Sequence, residues 1–198
     1  YSMSANQLNR AWKLSEERSF RHMIVGKVQS GKTGEIIKLC EYLISLDITP
    51  VVIVRNRKCD VQQFKGRFPG EVQTMYELSG SNGKILSGVG GRVNKNIPLV
   101  VMGNKSQFTK AHQLLEDIEY TVIKDEGDMH YQTKDRDEKP TECKLNVLEE
   151  NSNNIYSFTA TIASMVRNQP DDEAQNSEIY DMKLSSDYFG VEHFQHVP

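Results

Sequence analysis

The chain has 198 residues, of which 37% are hydrophobic and 26% charged, and its formal charge is −3. That length fits one large domain or at most two small ones, and the composition is that of a folded chain. Its mild acidity argues against a protein held to nucleic acid by bulk charge, though it leaves room for a local basic patch. No apolar run approaches the roughly 20 residues that cross a bilayer, and the opening stretch is too polar for a secretory signal. Cys40, Cys59 and Cys143 lie far apart and form no CxxC pair. Free thiols in a reducing, intracellular compartment (cytoplasmic or nuclear) are therefore expected, without a zinc site. The chain begins at Tyr1 without an initiator methionine, as a fragment would.

In chain order, the first apolar run is His22 to Val25, and it leads at once into Gly26–Thr33, GKVQSGKT. From Thr33 to Leu46, Ile36, Ile37, Leu39, Cys40, Leu43 and Ile44 recur at helical spacing. Pro50 is expected to close that segment before the β-branched run Val51–Val54, which predicts a strand buried on both faces. Arg55, Arg57, Lys58, Lys65 and Arg67 then concentrate positive charge. A phosphate-backbone contact needs such a patch, and a solvated helix face would look the same. Ser79 to Asn96 is glycine-rich and polar, the pattern of a surface excursion. Leu99–Met102, Tyr120–Ile123 and Ile155–Phe158 predict three further strands. Tyr131 to Cys143 and Asn168 to Ser177 read as loops. Beyond them Tyr180, Met182, Leu184, Tyr188 and Phe189 can pack back on the domain. Strands alternating with helices predict an α/β fold: a mainly parallel central sheet flanked by helices, in one domain over residues 1–198.

Two motifs carry chemistry. Gly26–Thr33 fills every fixed position of G-x-x-x-x-G-K-[ST]. In such a loop the glycines let the backbone wrap with its amides inward, and these amides and the following helix N-terminus bind phosphate oxygens. Lys32 would supply a charge for the β and γ phosphates, and the Thr33 hydroxyl would ligate magnesium. The nucleotide cradle is then Gly26, Lys27, Val28, Gln29, Ser30, Gly31, Lys32, Thr33 and Gly34. The second motif, Asp125–Asp128 (DEGD), directly follows the run YTVIK. Carboxylates at the carboxyl end of a parallel strand sit where a metal and a reacting phosphate are expected. Asp125 would hold Mg2+ through a water, and Glu126 would polarise the attacking water. A solvated acidic turn is the alternative for this motif taken alone.

Together with TAT at Thr159–Thr161, these motifs resemble those of superfamily 2 helicases and translocases, where the phosphate loop is motif I, D-E-x-[DH] is motif II and S/T-A-T is motif III. The resemblance runs from about Gln7 to Thr161. It implies the first RecA-like lobe of such a motor, a P-loop NTPase domain using ATP and Mg2+, with DNA or RNA as partner, no membrane, and a second RecA-like lobe. It also implies that Thr159, Ala160 and Thr161 couple the nucleotide state to movement. Arg55 and Asn56 stand where the family carries motif Ia, and Asn104 and Lys105 where it carries motif Ib, both of which touch the nucleic-acid backbone. Gln7 stands where many members read adenine, although Leu8–Trp12 fit an ordinary amphipathic helix equally. VQSGKT and the later YFGVEHF resemble a divergent branch found in large viruses, phages and endonuclease-associated bacterial systems. Gly127 departs from the strict DEAD-box pattern, and no second lobe or arginine-finger motif is expected after Thr161. The rival reading is a nucleotide-dependent regulatory or interaction module that moves no strand.

Overall fold

The computed structural model describes residues 20–26, 31–78, 92–126, 144–160 and 177–182. The elements are β1 (Phe20–Val25), α1 (Lys32–Ser45), β2 (Thr49–Val54), α2 (Lys58–Arg67), β3 (Gln73–Thr74), α3 (Met75–Leu78), β4 (Leu99–Met102), α4 (Lys105–Leu114), β5 (Tyr120–Asp125), α5 (Lys144–Glu150), β6 (Asn154–Thr159) and β7 (Ser177–Asp181). All seven strands join one sheet in the order β3-β4-β2-β5-β6-β1-β7. Every pairing is parallel. The expected α/β architecture is therefore present, and its sheet is wholly parallel.

The uninterrupted apolar runs follow from burial on both faces. Along β2, Val52 and Val54 pack with Ile36, Leu39, Leu43, Val61 and Phe64 of α1 and α2. Val51 and Ile53 pack on the opposite side with Phe108, Ala111 and Leu148 of α4 and α5. Side chains alternate along a strand, so one β-branched run serves two cores. None of Val51, Val52 and Ile53 exposes any surface.

Two details depart from the sequence reading, and the expected packing of the segment around Tyr180 takes the form of a strand. Pro50 does not stand between helix and strand; α1 ends at Ser45 and Pro50 is the second residue of β2. It is tolerated in a central strand because the amide of Thr49 donates to Glu119 O on the β5 side. Alternation then directs the Pro50 nitrogen to the β4 side, where pairing starts only at Val51. Gln73–Thr74 forms a short edge strand that no apolar run announces. The segment around Tyr180 packs back as a strand, β7, beside β1, with the Met182 amide donating to Val25 O at 2.7 Å.

A buried charge cluster ties α5 to the sheet. Lys124 of β5 has no exposed surface, and its Nζ lies 2.6 Å from Glu149 Oε1. Arg21 of β1 reaches the other oxygen of Glu149 at 2.9 Å. Burial pushes the Glu149 carboxyl up, but Lys124 and then Arg21 outweigh it, so the group sits below its ordinary 4.5. Removing one member of a buried ion pair strands the other. Glu149→Ala should therefore lose about 3 to 5 kcal/mol of stability in urea titrations, and adding Lys124→Met should recover part of that loss. A carboxyl with a depressed folded pKa stabilises above its unfolded value and loses that contribution as pH falls through the folded one. The gap between native chain and Glu149→Ala should accordingly narrow below pH 4.5.

Candidate functional site

In a parallel sheet the carboxyl ends of all strands share one rim, where bound groups meet the loops. Here β1, β6 and β5 are neighbours in that order. Strands lie about 4.8 Å apart, so the loops leaving β1 and β5 emerge roughly 10 Å from each other across the end of β6. The Gly26 amide, just past β1, donates to Thr159 O at the end of β6, at 2.9 Å. Thr159 is fully buried and Ala160 follows it. Two of the three expected coupling residues thus adjoin the start of the phosphate loop.

Gly31 opens α1 with φ 85, a left-handed conformation that favours glycine, and has no side chain to cap the helix. The first-turn amides of a 14-residue helix therefore meet no N-cap side chain. Such an end attracts an anion. Lys32, the first helical residue, reaches across the end of β6, and its Nζ lies 2.9 Å from Glu126 Oε1. Thr33 Oγ1 accepts from Arg67 Nη1 at 3.4 Å. Gly34 is exposed in the first turn, with open space where a Cβ would stand.

Asp125 is the last residue of β5, and Glu126 follows it with φ 51. A non-glycine residue in the left-handed region stores strain of order 1–3 kcal/mol, a feature that clusters at functional sites. Here it turns the Glu126 carboxylate toward Lys32. Burial first, and then the charge of Glu126, push the Asp125 carboxyl up, and Lys32 and Arg55 offset this only in part. Carboxylate and hydroxyl oxygens are the donors that a hard divalent cation takes, and a cation beside Asp125 and Glu126 would relieve their repulsion. The residue types therefore fit a magnesium ion held by Thr33 and Asp125.

The residues expected to touch nucleic acid line the same rim, beyond the ends of β2 and β4. Arg55 is held by Asp60 in a two-pronged contact at 2.7 and 3.2 Å. That bond, and beyond it the negative field of Glu126 and Asp125, raise its pKa above the ordinary value. Asn104 Nδ2 donates to Asn56 Oδ1 at 2.9 Å, joining the two loops. Asn104 also caps α4 by accepting from the Gln107 amide at 3.0 Å, and Lys105 is the first residue of that helix. The Gly103 amide donates to Val54 O. Of the five expected cations, Arg55 pairs with Asp60, Lys65 pairs with Glu77 and Lys58 lies over the Tyr76 ring at 5.5 Å, while Arg57 and Arg67 are exposed.

Gln7, Lys27, Val28, Gln29, Ser30, Thr161, Gly127 and Asp128 lie outside the described residues. Sequence reasoning gave Arg67 only to the basic concentration, and did not foresee its contact with Thr33 or the geometry of Glu126. Among the described residues no helix is long and apolar enough to cross a membrane.

No protein-family model matches the chain, and no curated protein does. Among solved structures the chain is similar to the Sulfolobus solfataricus SWI2/SNF2 ATPase core in complex with dsDNA, with a TM-score of 0.52 and 13% identity over 85% of this chain. It spans 32% of that chain's length. At this identity the likeness shows a shared RecA-like fold.

The raised pKa of Asp125 has a consequence for stability. The folded state binds a proton at Asp125 more readily than the unfolded chain does, so stability falls as pH rises from the ordinary 3.8 through the folded value. At neutral pH the charged Asp125 is therefore a net cost to the nucleotide-free fold. Asp125→Asn should raise its thermal midpoint at pH 7, by about 2 to 4 °C per kcal/mol relieved. The advantage should vanish at a pH low enough to protonate Asp125, and an unchanged or lowered midpoint at pH 7 would contradict this account.

Proposed function

We propose that this chain is the ATP-binding lobe of a nucleic-acid-dependent ATPase of the helicase or translocase kind, using magnesium and acting together with a second lobe. The observation that carries the reading is the 2.9 Å contact between Lys32 and Glu126. It brings the charged end of the phosphate-loop motif and the second carboxylate of DEGD together across one strand. The RecA-like fold supports the reading, as does the nature of the archaeal protein similar to it, an ATPase core in a complex with dsDNA.

On this reading the contact is the resting state of the site. The polyphosphate binds at the bare N-terminus of α1, where amides and helix dipole favour negative charge. Lys32 exchanges one carboxylate for phosphate oxygens, and the exchange frees Glu126 to accept a hydrogen bond from the attacking water and orient it. Thr33 and Asp125 would hold the magnesium, which would supply charge neutralisation at the phosphates. The Gly26–Thr159 hydrogen bond passes displacement of the phosphate loop to the end of β6 and Ala160. A second lobe supplies the cation that the transition state needs, and turnover without it is slower by about 10³ to 10⁵. Asn56, Asn104, Arg55 and Lys105 form the nucleic-acid side of the rim.

Calorimetry with ATP and magnesium is the decisive experiment. The native chain should bind, and Lys32→Ala should weaken binding by at least about tenfold, the value of one charge-assisted hydrogen bond. Equal binding by both would remove the phosphate loop from the account. In a chain carrying both lobes, DNA or RNA should stimulate ATP turnover. Binding and turnover that ignore both nucleic acids would instead favour a nucleotide-dependent regulatory module.

A further inference from the structure

We propose that Arg67, supplied by α2 of the same lobe, contacts the terminal phosphate and makes the site prefer a nucleoside triphosphate to a diphosphate; this rests on the nucleotide reading above. Arg67 is the last residue of α2, yet its guanidinium lies 3.4 Å from the hydroxyl of Thr33, 34 positions away in the chain. Thr33 lies half-buried in the first turn of α1, beside Lys32. The arginine therefore stands at the mouth of the phosphate site.

Its neighbours are already committed. Lys32 pairs with Glu126, Arg55 with Asp60 and Lys65 with Glu77. Among the described residues no carboxylate pairs with Arg67, and its hydrogen-bond partner is a neutral hydroxyl. A guanidinium offers five donors in a planar fork and accepts nothing, so one neutral oxygen leaves most of its capacity unused.

Occupation of the site changes what Arg67 meets. The Thr33 oxygen is the atom that the metal would take, and a guanidinium beside a divalent cation is repelled by it. Arg67 must then leave Thr33 for an acceptor carrying negative charge. The terminal phosphate shares that cation and suits the two-pronged geometry of the fork. A diphosphate has no such group, so Arg67 reads the presence of the third phosphate, in a role separate from the transition-state cation of the second lobe.

The test is the ratio of ATP to ADP affinity, measured by calorimetry with magnesium on the native chain, Arg67→Ala, Arg67→Lys and Lys32→Ala. Arg67→Ala should weaken ATP by about tenfold to a hundredfold and ADP by less than about twofold. Arg67→Lys, which keeps the charge and loses the fork, should recover part of the ATP affinity. The nucleotide-free thermal midpoint of Arg67→Ala should equal the native one, because the contact it loses is exposed. Equal losses for ATP and ADP, or none for either, would overturn the assignment. If Lys32→Ala loses binding and Arg67→Ala does not, the nucleotide reading stands and the role of Arg67 falls. If the native chain binds neither nucleotide, both fall.

Discussion

One constraint organises the rest of the molecule: a single strand, β6, separates β1 from β5. Adjacent strands would crowd the loop after β1 against the acidic turn after β5, and two intervening strands would put them beyond the reach of a lysine. One strand leaves a gap of roughly 10 Å, which the Lys32 side chain spans to Glu126. The same arrangement puts the Thr159 carbonyl under the Gly26 amide. The start of the loop after β1 is thereby tied to the end of β6. The doubly packed core holds this spacing, because each central strand is gripped by helices on both faces.

The site is held at a cost to the fold. Glu126 occupies a left-handed conformation, and Asp125 keeps a carboxylate where burial disfavours its charge. The compensation lies directly behind them. Lys124, one residue before the acidic pair, is anchored by Glu149, and Glu149 by Arg21 of β1. This cluster links β5 to β1 through α5, on either side of β6, with Arg21 near the start of β1 and Lys124 next to the strained end of β5. A buried ion cluster contributes little net stability for its desolvation. Its worth here is geometric.

Much of this was legible because the signals were local. The β-branched runs of β2 and β4 admit little besides buried parallel strands, and GKVQSGKT and DEGD mark the ends of β1 and β5 by residue type alone. What escaped depended on the fold. Gln73–Thr74 is a strand because β4 offers it an edge and because Gln73 bonds the backbone of Asn94 and Ile97. Pro50 looked like punctuation because its tolerance depends on where pairing with β4 begins. Lys124 could have been noticed, since it interrupts an apolar run just before the acids, but its partner lies 25 residues on. The contact of Arg67 with Thr33 needed the three-dimensional path of α2. The density of lysine and arginine after β2 suggested a basic surface, and pairing with Asp60 and Glu77 offsets two of its five cations.

That cancellation bears on how the rim could sense nucleic acid. Beside the exposed Arg57 and Lys105, the ends of β2 and β4 present the linked amides of Asn56 and Asn104 and the N-terminus of α4. Such groups bind a phosphate backbone through directional hydrogen bonds, with less counterion release than a lysine cluster gives. A net charge of −3 works in the same direction. In the role proposed for the rim, grip would depend in part on how the two asparagine loops are set. Arg55 connects this setting to the phosphate site, since it is bonded to Asp60 and lies within the field of Asp125 and Glu126. A cation neutralising those carboxylates would weaken only the smaller part of what holds Arg55, since the bond to Asp60 comes first.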